Sequence, residues 1–252
     1  MKFAMVTYRG LPQLTASDRL MISLFAERAI RAEPAVWSDP AVRWQDFAVV
    51  LMRSAWDSHL DPQAFDNWLA HLAKIGVHVL NPIPLIRQNQ HKFHLRELGE
   101  AGVRIIPTVF ISRTDRLDLG AVRSRGWKHA VIKPAISANS YFTERFAVDD
   151  YAVMEQKYRG IARERELLVQ EFMPEIQDFG EISLVFINRK YSHAILKRAR
   201  QADFRVQAEY GGQAIRFQAG SEIIETAESI LENYAGDILY ARVDGVIRGK
   251  VF

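Results

Sequence analysis

"LLVQEFMPEIQDFGEISLVF", residues Leu167–Phe186, joins two apolar runs through a proline and a short acidic stretch. Leu167–Val169 and Ile182–Phe186 are continuous enough to predict strands buried on at least one face. Pro174 cannot donate to a ladder and keeps Met173 extended, so the first strand must give way around Gln170–Met173. Between the strands lies a hinge, Gln170, Glu171, Phe172 and Met173, whose main-chain polar groups are partly released from pairing. Such groups can read the edge of a planar heterocycle such as adenine, and Glu181, past the loop, can accept hydroxyls. The same stretch also suits a plain crossover with surface acids.

Upstream, "HAVIKPAISANSYFT" (His129–Thr143) is built alike. An apolar strand ends in Lys133, Pro134 stops it, and a loop of small polar residues follows with Ser137, Asn139 and Ser140. A lysine at a strand end can meet phosphate oxygens while the N–H groups of such a loop close over them. It can equally be an edge lysine that snorkels to water. Lys92, in "QNQHKFHL", falls in a stretch that predicts one helix running to Gly102, where a lysine is ordinarily solvated. His91 and His94 lack a third ligand and are expected on the surface.

Downstream, "ISLVFI" and "YSHAILKR" predict a hairpin around Asn188–Lys190, with Lys197 near its end. "DFRVQAEYGG" (Asp203–Gly212) sets Arg205 and Gln207 on one strand face ahead of Gly211 and Gly212, a pair that permits close backbone approach. "SEIIETAESILENYAG" predicts a helix with Ser221 as N-cap and Gly236 near its end. "ARVDGVIRGKVF" (Ala241–Phe252) projects Arg242 and Asp244 from one strand face and turns at Arg248–Gly249.

The first third alternates strand and helix. "KFAMVTY" predicts a strand, and Leu20, Met21, Leu24, Phe25 and Ala29 predict the apolar stripe of a helix. "FAVVLM" reads as a buried parallel strand. Asp61 and Pro62 supply an N-cap and first helical position for a helix that buries Phe65, Trp68, Leu69 and Leu72 and ends near Gly76. "VHVLNP" is the next strand. This βαβ pattern predicts a small parallel-sheet lobe whose ligands lie at the carboxyl ends of its strands, where Arg53 and Asp57 fall.

The 252 residues are 48% hydrophobic, with 33 Lys and Arg against 30 Asp and Glu, so no basic stripe for nucleic acid is expected. The absence of cysteine excludes thiolate nucleophiles, disulfides and zinc–thiolate clusters. The P-loop, G-x-G-x-x-G and G-x-S-x-G patterns are missing. No apolar run approaches the ~20 residues that cross a bilayer. A cytoplasmic protein is expected, without membrane partners, and self-association stays open.

Taken in chain order, Lys92, Lys133 with its loop, the "QEFMPEI" hinge, "FRVQ…GG" and "ARVD" resemble the ATP-grasp superfamily of carboxylate–amine ligases. The resemblance runs over roughly residues 85–252. "QEFMPEI…LKR…FRVQ…GG" is similar to glutathione synthetases, while "MRSAWD", "VIKPAISA", "YSHAILKR" and "DFRVQ" look more like the cyclo-ligase branch of D-cycloserine biosynthesis.

The resemblance implies an α/β chain, α+β in its second region, with an ATP-grasp fold. It implies an N-terminal βαβ lobe (1–85) and two lobes that sandwich ATP, a small one (86–166) and a C-terminal one (167–252). The implied reaction activates a small amino-acid-like carboxylate as an acylphosphate for attack by an amine, in ligase or cyclo-ligase form. A glutathione- or peptide-type ligase and a nucleotide-binding protein without catalysis remain alternatives.

By the same resemblance Lys92, Lys133 and Ser137 hold phosphates, and Gln170, Glu171, Phe172 and Met173 hold adenine. Glu181 lies near the ribose. Arg205, Lys197 and Arg242 stabilise the transferring charge, and Asp244 binds Mg²⁺. Arg53, Asp57, Gln207, Gly211 and Gly212 are assigned to the substrate. Members of the family carry a second acidic metal ligand on the strand after "RVD". Here that strand would begin at Lys250, which is expected to reflect either a truncated lobe, the preferred reading, or a lost ligand strand.

Overall fold

The computed structural model describes residues 1–200, 211–249 and 251–252. They form two compact units, one of residues 1–90 with 236–239 and one of residues 91–235 with 240–252.

In the first unit the elements run β1 (Lys2–Thr7), α1 (Ala16–Ala26), β2 (Arg31–Val36), β3 (Val49–Leu51), α2 (Pro62–Ile75), β4 (His78–Leu80) and α3 (Ile83–Gln90). The four strands make one parallel sheet in the order β2-β1-β3-β4. Strand alternation then sorts the core. Ala4, Val6 and Val50 pack with Phe65, Trp68, Leu69 and Leu72 of α2, whereas Met5, Val49 and Leu51 pack with Leu14, Met21, Ile22 and Phe25. Asp61 caps α2 by accepting from Ala64 N at 2.9 Å, and Gly76 closes it at φ 71°, as the sequence predicts.

α1 is rotated from the expected stripe. Leu20 and Leu24 are exposed, and the inward positions are Asp18, Met21, Ile22 and Phe25, an i, i+3, i+4, i+7 set. The carboxylate of Asp18 is drawn inside by Arg53 and Ser54, and this fixes the helix about its axis. β2 was not legible from pattern because its "RAEPAV" carries charge and a proline. It pairs only with β1, so Pro34 occupies an edge strand, where a missing donor is tolerated.

The second unit comprises α4 (His94–Glu100), β5 (Thr108–Ile111), α5 (Gly120–Arg123), β6 (His129–Pro134), β7 (Glu144–Ala147), α6 (Tyr151–Glu164), β8 (Leu167–Glu171), α7 (Glu175–Asp178), β9 (Glu181–Ile187), β10 (Lys190–Arg198), β11 (Gln213–Phe217), α8 (Ser221–Glu232) and β12 (Tyr240–Gly245). It has two antiparallel sheets, β5-β8-β6-β7 and β11-β10-β9-β12. The first packs Ile132, Leu167 and Val169 on Met154 and Tyr158 of α6, and the second packs Ile182, Leu184 and Phe186 on Ala227 and Leu231 of α8.

The hairpin β9–β10 turns on Asn188 (φ 49°) and Arg189 (φ 62°), the two positive φ angles of a type I′ turn. Arg189 also donates to the carbonyls of Leu231 and Tyr234 at 2.8 and 2.6 Å, which ties the turn to the end of α8. Two expectations need correction here. Gly220, not Ser221, is the N-cap of α8, and the helix stops at Glu232, well before Gly236. The single helix expected to end at Gly102 is instead α3 and α4, with residues 91–93 between them.

Candidate active site

That break places Lys92 outside any helix. Its main-chain N–H donates to Ala135 O at 2.9 Å, and Ala135 N–H in turn donates to Glu166 O at 2.8 Å. The Lys92 ammonium donates to Ser137 O at 2.6 Å, in the loop that follows β6. Along β6, Ala130, Ile132 and Pro134 face the core, so strand alternation sends Lys133 to the other face. Its main chain pairs with β8, while the Lys133 ammonium makes no hydrogen bond or ion pair among the described residues. Burial, and then the neighbouring Lys133 charge, brings the pKa of Lys92 down to about 7. Burial brings Lys133 down to about 8, against the opposing pull of Glu181. The two lysines are thus desolvated cations, and among the described residues neither ammonium has a carboxylate in contact, an arrangement suited to an anionic ligand.

On the second sheet, cross-strand register lines up a charged face. Lys197 stands opposite Glu181, and Asp244 opposite Ser183. Lys197 Nζ lies 2.9 Å from Glu181 Oε1 and 3.6 Å from Asp244 Oδ1. Arg242 donates from Nε and Nη2 to both Asp244 oxygens at 2.8–3.0 Å, and the Ser183 hydroxyl donates to the same carboxylate. Burial pushes the Asp244 carboxyl up, but Arg242, Lys197 and Ser183 outweigh it and hold the group below the usual carboxylate range.

A divalent ion is implied for Asp244 by the family resemblance, and the arrangement does not fit one. Both carboxylate oxygens are taken by a guanidinium fork, and the described residues hold no cluster of three His, Cys, Asp or Glu side chains. Mg²⁺ needs free carboxylate oxygens. Asp244 acts here as the anchor of Arg242 and Lys197.

The hinge is more occupied than its sequence indicates. Gln170 is buried and its side chain donates to Thr108 Oγ1 at 2.9 Å, a structural bond rather than an open contact. The N–H groups of Glu171 and Phe172 donate to Pro107 O and His129 O at 2.9 and 3.0 Å. The Met173 N–H has no such acceptor among the described residues. Phe172 and Met173 are buried, and the Arg145 guanidinium lies 3.9 Å from the Phe172 ring centroid. Arg248 holds the acids of the hinge, reaching Glu171 at 3.0 Å and Glu175 at 2.9 Å.

In the first unit, Arg53 Nε donates to Asp18 Oδ1 at 2.8 Å, and Asp18 also accepts from Ser54 and Thr15. Burial raises the Asp18 carboxyl, but these donors more than offset it and keep the pKa low. Asp57 accepts from the Trp37 indole N–H at 2.6 Å. Arg205 and Gln207 lie outside the described residues. Gly211 takes φ 80°, with the Arg200 side chain 3.3 Å from where its Cβ would be, and Gly212 leads into β11.

Sequence reasoning missed Asp18, Glu166, Ser183 and Arg248. Only Asp18 left a signal, the Thr15-x-x-Asp18 spacing of a capping pair. His91, expected on the surface, is half-buried and bonded to Glu166.

Comparison with known proteins agrees with this architecture. Residues 3–81 match the family model for the N-terminal domain of D-cycloserine synthetase DcsG. The cycloserine biosynthesis protein DcsG of Streptomyces lavendulae is 29% identical over 182 residues, which takes in 68% of this chain and 58% of that protein. The chain thus matches less than two thirds of that relative's length. The crystal structure of D-cycloserine synthetase DcsG superposes with a TM-score of 0.86 at 24% identity, covering 100% of this chain and 88% of that one. D-alanine–D-alanine ligase from Bacillus anthracis, solved with ATP, gives a TM-score of 0.71 at 12% identity, covering 100% and 83%. The chain therefore has the ATP-grasp fold, and its first unit is similar to the N-terminal domain of D-cycloserine synthetase.

Proposed function

We propose that this chain is an ATP-dependent carboxylate–amine ligase that acts on a small amino-acid-like substrate, in the cyclo-ligase form where amine and carboxylate belong to one molecule. The observation that carries this reading is the pair Lys92 and Lys133, two desolvated cations side by side, with no carboxylate in contact among the described residues. A polyphosphate supplies negative charge to the pair, and binding recharges both lysines.

A substrate carboxylate oxygen attacks the γ-phosphorus, the bond to the β,γ-bridging oxygen breaks, and ADP leaves. The amine then attacks the acyl carbon, phosphate departs and the amine loses a proton. Lys92, Lys133 and the loop at Ser137 bind and orient the phosphates. Met173 supplies the hinge N–H for the adenine edge, and Glu181 faces the ribose. Lys197 and Arg242, held by Asp244, stabilise the tetrahedral oxyanion, with Arg205 a third candidate. No step runs through Mg²⁺, because Asp244 is committed to Arg242.

Arg53 and Asp57 of the first unit are read as substrate contacts, although Arg53 is bonded to Asp18 and Asp57 to the Trp37 indole, and Gln207, Gly211 and Gly212 keep their separate assignment to the substrate. The lobes of the reading are 1–85, 86–166 and 167–252. Among the described residues no helix is long and apolar enough to cross a membrane, and the reading places the enzyme in the cytoplasm with its ATP.

The test is release of ADP and phosphate across a panel of small amino acids with a second amine, with products weighed by mass spectrometry. Loss of water from one substrate molecule supports the cyclo-ligase. Condensation of two molecules points to a peptide-type ligase, and ADP binding without turnover to a nucleotide-binding protein.

A further inference from the structure

Lys92 sits on a three-residue connection between helices, which by itself would let a long side chain wander. Four bonds prevent this, and Glu166, the residue just before β8, makes two of them and anchors the partners of the other two. Its carbonyl accepts from Ala135 N–H at 2.8 Å, and Ala135 O accepts from Lys92 N–H at 2.9 Å. Its carboxylate bonds His91 Nε2 at 2.7 Å, while His91 Nδ1 accepts from Phe93 N–H at 3.3 Å. Because Nδ1 accepts, Nε2 carries the proton and donates to Glu166, so one imidazole tautomer satisfies both contacts. The Phe93 ring packs edge-on to His91 on one side and to Phe110 of β5 on the other. His91 and Phe93 thus bracket Lys92 on both sides.

We propose that Glu166 and His91 are positioning residues for Lys92: the carboxylate–imidazole bond holds the 91–93 connection against the end of β6, so that the Lys92 ammonium stays at Ser137 beside Lys133. This rests on the phosphate-binding role given to the two lysines above. Glu166 serves both strand ends at once, since its main chain fixes Ala135 and its side chain fixes His91. Neither residue need touch a ligand.

Two measurements test it on the full chain. The first needs no nucleotide: acetic anhydride labelling of Lys92 against pH, read by peptide mass spectrometry. The wild-type midpoint is expected near pH 7. Glu166→Ala should raise it by about one unit or more as the ammonium reaches water. Glu166→Gln, which still accepts from His91, should restore it, and His91→Ala reads the same contact from the other side should Glu166→Ala not fold. An unmoved midpoint in both truncations overturns the proposal. The second is a cycle of ADP affinities. Glu166→Ala should weaken ADP about tenfold in the wild type and have no effect in a Lys92→Ala background. Additive losses would mean that Glu166 acts elsewhere. If the wild type binds no ADP, the nucleotide reading fails, and the labelling result still decides the tether.

Discussion

Nucleotide binding should draw protons out of solution, and the two lysines fix how many. With Lys92 at about 7 and Lys133 at about 8, the free protein at pH 8 holds about 0.6 of their two protons. A bound polyphosphate favours both charged forms, so ADP binding should take up about 1.4 protons at pH 8 and about 0.6 at pH 7. The secondary ionisation of a phosphate, near pH ~6, adds little at either pH. The sign follows from the direction of the shifts: the ligand selects the protonated lysines, so affinity falls as pH rises from about 7 towards 9. Calorimetry in buffers of different ionisation enthalpy reads the uptake directly. Lys92→Met should leave Lys133 alone and cut the uptake at pH 8 to about 0.5. Tight ADP binding with no proton uptake at pH 8 would refute the reasoning, since the lysines would then be charged already or untouched by the phosphates.

The same depressed values act on folding. The unfolded chain binds more protons than the native one between pH about 7 and the ordinary lysine value, so the two lysines make stability rise with pH over that window. Lys92→Met should flatten that rise in denaturant titrations. Asp244→Asn should lower ADP release about tenfold or more while changing ADP affinity by less than about threefold, because it unfastens Arg242 and Lys197 rather than the phosphate lysines. Gly180→Ala should cost about 1–3 kcal/mol in urea denaturation, since φ is 128° and the added Cβ would lie 2.6 Å from Lys197 O. Leu69→Ala should cost about 2–5 kcal/mol by the same assay, given a side chain with no exposure between α2 and the sheet.

What the sequence determined by itself was local in origin. The Asp61–Pro62 start and Gly76 stop of α2 follow from capping and φ preference, the Asn188–Arg189 hairpin from flanking apolar runs, and the order of lysines, hinge and "ARVD" from the chain itself. A continuous apolar run such as "FAVVLM" suits a buried strand, and Val49–Leu51 form one. Residues whose meaning depends on a distant partner stayed hidden. Asp18 looks like a polar residue of an exposed helix turn until Arg53, 35 residues away, is beside it. His91 looks like a surface histidine until β8 brings Glu166 to it across 75 residues. The family resemblance implied a metal ligand at Asp244, while its spacing shows only that it shares a face with Arg242. Whether that face leaves its oxygens open is decided by β9, which delivers Ser183, and β10, which delivers Lys197. Charge pattern is written along the chain, but desolvation and pairing are properties of three-dimensional neighbours, so only the tertiary structure could turn two ordinary lysines into a desolvated cationic pair.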